Sequence, residues 1–266
     1  IPTVLCVIQN PRIDNPPNGW SALLYSWNQR YVHILECFFF PPDIPARPNF
    51  TPDSEAKWAS LGAWLPLFSM TGVFATMQAR RKSWVKTLLP ILFLMAFVPV
   101  LNSAFQMFNS GYYARWFYML TLMMSLATVT ALENPRADWK RAIKWTLGFT
   151  LGIALPIGLM VQTGANGDGE TVSIGLEAYP SRFWAYVAIA LLSLLLLTFL
   201  MKDYPLRRLR QELSKRKGRF FFPRRFNGER TKRFVRYCMC GVAVITVVYS
   251  LYFITLGKTQ SSDNHI

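Results

Sequence analysis

Acidic residues, histidine and cysteine are all scarce in this chain. Of 266 residues only 14 are Asp or Glu, 2 are His and 4 are Cys, and charged residues make up 16%. A soluble domain carries about a quarter charged residues, so composition argues against a soluble fold. The signatures of nucleotide binding and hydrolysis on soluble folds are missing too: no phosphate-binding glycine loop, no HExxH helix and no GxSxG elbow occur. Cys6, Cys37, Cys238 and Cys240 show no zinc or thioredoxin spacing. Cys238 and Cys240 lie in an apolar run, where thiols read as small buried hydrophobes. Gly164, Gly167 and Gly169 sit beside Asp168 and Glu170 with no phosphate-binding helix after them, and read as a flexible turn. No disulfide framework, metal ligand set or cofactor is evident.

Apolar residues are abundant instead. They make up 52% of the chain, Phe alone occurs 20 times, and mean hydropathy is +0.21. A hydrocarbon core about 30 Å thick needs about 20 apolar residues in a helix. Six stretches approach that length: Trp58–Gln78, Thr87–Phe105, Tyr113–Leu132, Trp145–Thr163, Phe183–Met201 and Val235–Leu256. Pro66, Pro90, Pro99 and Pro156 fall inside them, and neighbouring helices in a membrane bundle can satisfy the carbonyls that proline frees.

Lysine and arginine set the orientation. Arg80, Arg81, Lys82 and Lys86 follow the first stretch; Arg136, Lys140, Arg141 and Lys144 follow the third. The segment from Lys202 to Arg236 holds fourteen more. The alternate loops are neutral or acidic, with Asp168, Glu170 and Glu177 in one. Basic loops belong on the cytoplasmic side of a cytoplasmic membrane. The net charge of +15 then faces anionic lipids, which are the expected partner of the basic loop. Phe220-Phe-Phe-Pro with flanking basic residues suits a lipid interface better than a nucleic-acid groove, so no nucleic-acid partner is expected.

The expected fold is all-α: a polytopic membrane helical bundle of about six transmembrane helices plus an external interfacial amphipathic helix. Residues 1–57 form an external region with a membrane-parallel helix, and 58–201 hold five transmembrane helices with short loops. Residues 202–234 form the basic cytoplasmic loop, and 235–266 the sixth transmembrane helix and an external tail. The membrane-parallel helix is read from Trp20–Phe38. There Trp20, Leu23, Leu24, Trp27, Tyr31, Ile34, Leu35 and Phe38 make one stripe, opposite Ser21, Ser26, Asn28, Arg30, His33 and Glu36. The chain starts at Ile1 with no signal-peptide pattern, and reads as an internal piece of a longer protein.

One polar cluster brackets the external turn between the second and third spans: Asn102, Gln106, Asn109, Tyr113 and Arg115. An arginine at the external start of a span needs a partner, or must snorkel to the interface. Its planar fork suits a lipid phosphate or pyrophosphate. The amides of Asn102, Gln106 and Asn109 could meet sugar hydroxyls. An aromatic belt of Tyr112, Tyr113, Trp116 and Tyr118 with one snorkelling arginine accounts for the same residues. The spans hold almost no ionisable residue at membrane depth, which counts against an ion-coupled transporter.

The run VPVLNSAF at residues 98–105, YYARWFYM at 112–119 and FFFPPD at 38–43 resembles the YfhO family of bacterial membrane proteins. The resemblance covers about Trp20 to Leu132. It implies a GT-C-like fold, and an activity that moves a sugar from a polyprenyl-phosphate carrier onto a cell-envelope polymer outside the cytoplasmic membrane. It also implies a catalytic acid in an early external loop. No matching Asp motif occurs, which places that acid upstream of Ile1 and leaves Asp43 as the visible acid to test. The alternative expectation is a non-enzymatic membrane protein, a lipid or polysaccharide exporter or an assembly factor. The sugar, the acceptor and the oligomeric state are not legible from residues.

Overall fold

The computed structural model describes residues 23–25, 29–43, 62–79, 83–106, 115–134, 137–166, 169–177, 179–203 and 228–262. The fold is helical, with one small hairpin. In chain order the helices are α1 (Gln29–Phe39), α2 (Thr71–Gln78), α3 (Trp84–Phe97), α4 (Pro99–Ser103), α5 (Phe117–Glu133) and α6 (Trp139–Leu159). Strands β1 (Val161–Asn166) and β2 (Gly169–Ile174) follow, then α7 (Pro180–Leu200) and α8 (Gly228–Ser262).

Among the described residues three helices are long and apolar enough to cross a membrane: α6, α7 and the Lys232–Leu256 part of α8. Helices α3 and α5 are apolar but shorter. Large apolar side chains face outward on these elements, including Leu192, Leu195 and Phe199 on α7 and Met239, Val247 and Leu251 on α8. Water would penalise that surface, whereas lipid tails accept it. Cys240 shares the outward face of α8, while Cys238 is buried.

The first expected span, Trp58–Gln78, is not one continuous helix. Gly62–Leu65 has no regular secondary structure, residues 66–70 form turns, and only Thr71–Gln78 is helical. Pro66 cannot donate to a helix, and Leu67 and Ser69 take positive φ of 68° and 47°, which interrupts the ladder. Irregular backbone survives inside a membrane bundle only where protein satisfies it. Here the Ala63 N–H donates to the Cys37 carbonyl at 2.8 Å, and the Leu67 N–H to Ser193 Oγ at 3.1 Å.

Helix α2 is the hub of the bundle, packed against α5 and α6. Gly72 permits the close approach to α5, because a Cβ there would sit 2.7 Å from the Thr128 Cα. The Thr71 hydroxyl donates to Thr146 Oγ1 at 3.0 Å, and Thr76 donates to the Ala127 carbonyl at 2.6 Å. Such hydroxyl links hold helices together where the surrounding lipid offers no hydrophobic drive. Helix α7 packs between α6 and α8.

The glycine-rich segment after α6 is a hairpin, where a flexible turn was expected. Strands β1 and β2 pair antiparallel, with Gly164 opposite Thr171 and Asn166 opposite Gly169. Gly167 and Asp168 lie outside the described residues.

The N-terminal helix differs from the sequence reading in what its polar side meets. Of the stretch Trp20–Phe38, only residues from Gln29 on are described as helix, and part of its expected polar face is buried in the protein. His33 and Glu36, expected on the polar face, are 2% and 0% exposed; of the apolar stripe Ile34 and Phe38 are buried, while Leu23, Leu24 and Leu35 are exposed. Both faces therefore meet protein in part, which periodicity alone does not reveal. Here the polar edge turns toward other polar groups inside the molecule.

Candidate functional site

Those groups converge from distant parts of the chain. Helix α1 supplies His33 and Glu36, one turn apart on one side. Phe38, Phe39 and Phe40 then anchor the chain in the core, and Pro41-Pro42 forces it into an extended path ending at Asp43. The Tyr249 hydroxyl of α8 donates to the Pro42 carbonyl and pins that path. Glu177 arrives from the other direction, after the hairpin. Gly175 turns there with φ of 100°, its N–H bonded to the Met160 carbonyl, and the Leu176 N–H donates to Ile157 O, both at 2.8 Å. The opening turns of α7 add Arg182 and Tyr186.

Asp43 is 1% exposed and held by two donors. The Tyr186 hydroxyl donates to Oδ1 at 2.7 Å, and Arg182 Nη1 lies 3.4 Å from the same oxygen. The Arg182 guanidinium also lies over the Tyr179 ring, 4.3 Å from its centre. Arg182 is 3% exposed, so this is a desolvated ion pair whose members depend on each other.

Glu36 and Glu177 differ from Asp43 in having no such donors. Among the described residues no third residue donates to either carboxyl, and none partners His33 Nδ1. The one bond open to the two glutamates is between themselves, and it requires a proton. Burial first, and then the facing Glu177 and Asp43 carboxyls, hold the Glu36 pKa well above the carboxylate range. Burial pushes Glu177 up to about 8, with the hydrogen bond from Glu36 acting in the opposite direction. Both carboxyls are thereby biased toward the protonated form. Burial, assisted by Arg30, pushes His33 down to about 3, so its ring is neutral.

The cluster lies at the end of the bundle away from the basic segments. Arg182 opens α7, which runs at its other end into Lys202; Glu177 follows the end of α6, whose first turns carry Lys140 and Arg141.

Of the residues expected to form the carrier site, the side chains of Asn102 and Arg115 are described, and neither joins this cluster. Arg115 is exposed just before α5, and among the described residues no carboxylate pairs with it. Asn102 is 0% exposed and turns inward, with Nδ2 directed to the Ala96 carbonyl at 3.5 Å. The Tyr25 hydroxyl donates to that same carbonyl at 2.9 Å. Asn109, Tyr113 and the Gln106 side chain lie outside the described residues. Next to Arg115, Trp116 is buried and stacks on Phe105 with centres 4.4 Å apart. Asp43, the visible acid expected to be testable, is the one site residue placed at the centre of the polar cluster.

Sequence reasoning missed Arg182, Tyr186 and the roles of His33, Glu36 and Glu177. One signal was available. Arg182 stands at the start of an apolar helix, away from the basic segments, as Arg115 does, and the same cost of an arginine in that position applies to both.

No family model, curated protein or solved structure matches the chain. The fold and its apolar helices define the class: a helical membrane protein.

Proposed function

We propose that the chain is part of a GT-C-like membrane glycosyltransferase of about six spans. It transfers a sugar from a polyprenyl-phosphate carrier to a cell-envelope polymer on the external face of the cytoplasmic membrane. The observation that carries this reading is the Asp43 carboxylate, oriented by Tyr186 and Arg182 at the bundle end away from the basic loops. The positive-inside rule makes that end external, where a lipid-linked donor needs no nucleotide. Asp43 is the candidate general base. It takes the proton of an acceptor hydroxyl as that oxygen bonds to the sugar's anomeric carbon, and the carbon–oxygen bond to the carrier phosphate breaks. Arg115, exposed at the same end, is the candidate clamp for the departing phosphate. The resemblance of residues 38–43, 98–105 and 112–119 to the YfhO family supports the same reading.

A second reading has a specific observation in its favour. Glu36, Asp43, Glu177 and Arg182 are all at most 6% exposed, and buried ionisable groups in a membrane bundle also mark exporters. Reconstituting the full-length protein in liposomes with a labelled sugar on polyprenyl phosphate separates the two. Appearance of label in a glycan acceptor is the expected result. Movement of the intact carrier across the bilayer without transfer would establish the exporter instead.

A further inference from the structure

We propose that His33, Glu36 and Glu177 form a binding site for one divalent transition-metal ion, ligated by an imidazole nitrogen and carboxylate oxygens. The site goes beyond the transfer reading and does not depend on it.

One ligand-capable atom from each of the three residues lies within 4.8 Å of the others. A metal with bonds of about 2.0–2.2 Å holds opposed ligands up to about 4.4 Å apart. A shift of a few tenths of an ångström therefore closes the shell. All three residues are buried, at 2%, 0% and 6% exposed. Five of their polar atoms, both oxygens of each glutamate and His33 Nδ1, meet no donor or acceptor from elsewhere. Buried polar atoms left in that state cost about 1–3 kcal/mol each, and a single ion engages all three side chains at once.

Charge points to the same ligand. Arg182 compensates Asp43, so that aspartate has its own counter-charge. Among the described residues no cation pairs with either glutamate, and a doubly charged ion neutralises two carboxylates. The scaffold is fixed before binding. His33 and Glu36 share a helix, and the backbone bonds at Gly175 and Leu176 set the path into Glu177. One imidazole with two carboxylates suits Mn²⁺, Fe²⁺ or Zn²⁺ over Mg²⁺ or Ca²⁺, which prefer all-oxygen shells.

The test titrates metal-stripped, full-length protein in detergent with Mn²⁺ and reads bound ion by electron paramagnetic resonance. We expect one ion per chain that a hundredfold excess of Mg²⁺ fails to displace. Pulsed spectra should show coupling to a nitrogen, retained in His265→Ala and lost in His33→Ala. Glu36→Gln and Glu177→Gln should each weaken binding about tenfold or more, by analogy with losses seen for lesser changes around metals. Absence of binding above the detergent blank in monodisperse wild-type protein overturns the proposal. So does equal competition by Mg²⁺, or a bound ion lacking nitrogen coupling. The last three readouts use wild-type protein and decide the matter even where a variant fails to fold.

Discussion

Two segments of this chain carry one residue pattern and end in opposite environments. Tyr112-x-x-Arg115-Trp-Phe precedes α5, and Tyr179-x-x-Arg182-Phe-Trp opens α7. Arg115 is exposed, whereas Arg182 is 3% exposed and paired with Asp43. The local sequence does not make the difference. A distant segment does: Pro41-Pro42 carries Asp43 to α7, and among the described residues no acid reaches Arg115. An arginine at the outer end of a helix can enter the protein only if a counter-ion enters with it; otherwise it stays at the interface. The same side chain is therefore a structural and positioning group in one place and, among the described residues, an unpaired exposed cation in the other.

Breaking the two arginines in turn should give the largest contrast. Arg182→Leu strands Asp43 without its charge partner and should cost about 3–5 kcal/mol. Arg115→Leu, at an exposed position, should stay within about 0.5 kcal/mol of wild type. Thermal unfolding of both variants in one detergent measures the gap, and equal losses would refute the contrast. The neighbouring hydroxyls sharpen it. Tyr186→Phe removes a donor to a buried carboxylate and should cost about 1.5–3 kcal/mol. Tyr118→Phe, on a side chain 71% exposed, should cost almost nothing. The packing beneath Arg182 gives a smaller effect. A Cβ at Gly158 would sit 2.5 Å from Trp184 Cζ2, so Gly158→Ala must displace that ring and should cost about 1–3 kcal/mol. At Arg115 the expected effect is on activity rather than on stability. Arg115→Lys should fold normally and transfer sugar more slowly, because a point charge does not reproduce the guanidinium fork.

What could be read from residues alone follows from the range of the physics. Helices α6 and α7 and the span within α8 were legible, since length and hydropathy are local properties of about 20 residues. Expected and observed ends differ by several residues: Trp145–Thr163 is helical from Trp139, and Val235–Leu256 is the centre of a longer helix. The first stretch misled because hydropathy registers apolar residues and not the break at Pro66, Leu67 and Ser69. The stripe in residues 20–38 misled because both sides of the helix meet protein in part: Ile34 and Phe38 of the apolar side are buried, and so are His33 and Glu36 of the polar side. The polar cluster was invisible for another reason. Its members come from residues 33–43, from 177–186 and from Tyr249, and only the tertiary fold brings them together. Asp43 was singled out as the acid left to test, while its partners Arg182 and Tyr186 were not.

The measurement that bears most directly on the account is sugar transfer by the double variant Asp43→Asn with Arg182→Gln. Removing both charges avoids the stranded ion that confounds either change alone. The full-length double variant should remain monodisperse and lose at least about a hundredfold in transfer from the polyprenyl-phosphate donor, the range expected when a general base is lost. Transfer within about threefold of wild type would contradict the placing of the chemistry at Asp43.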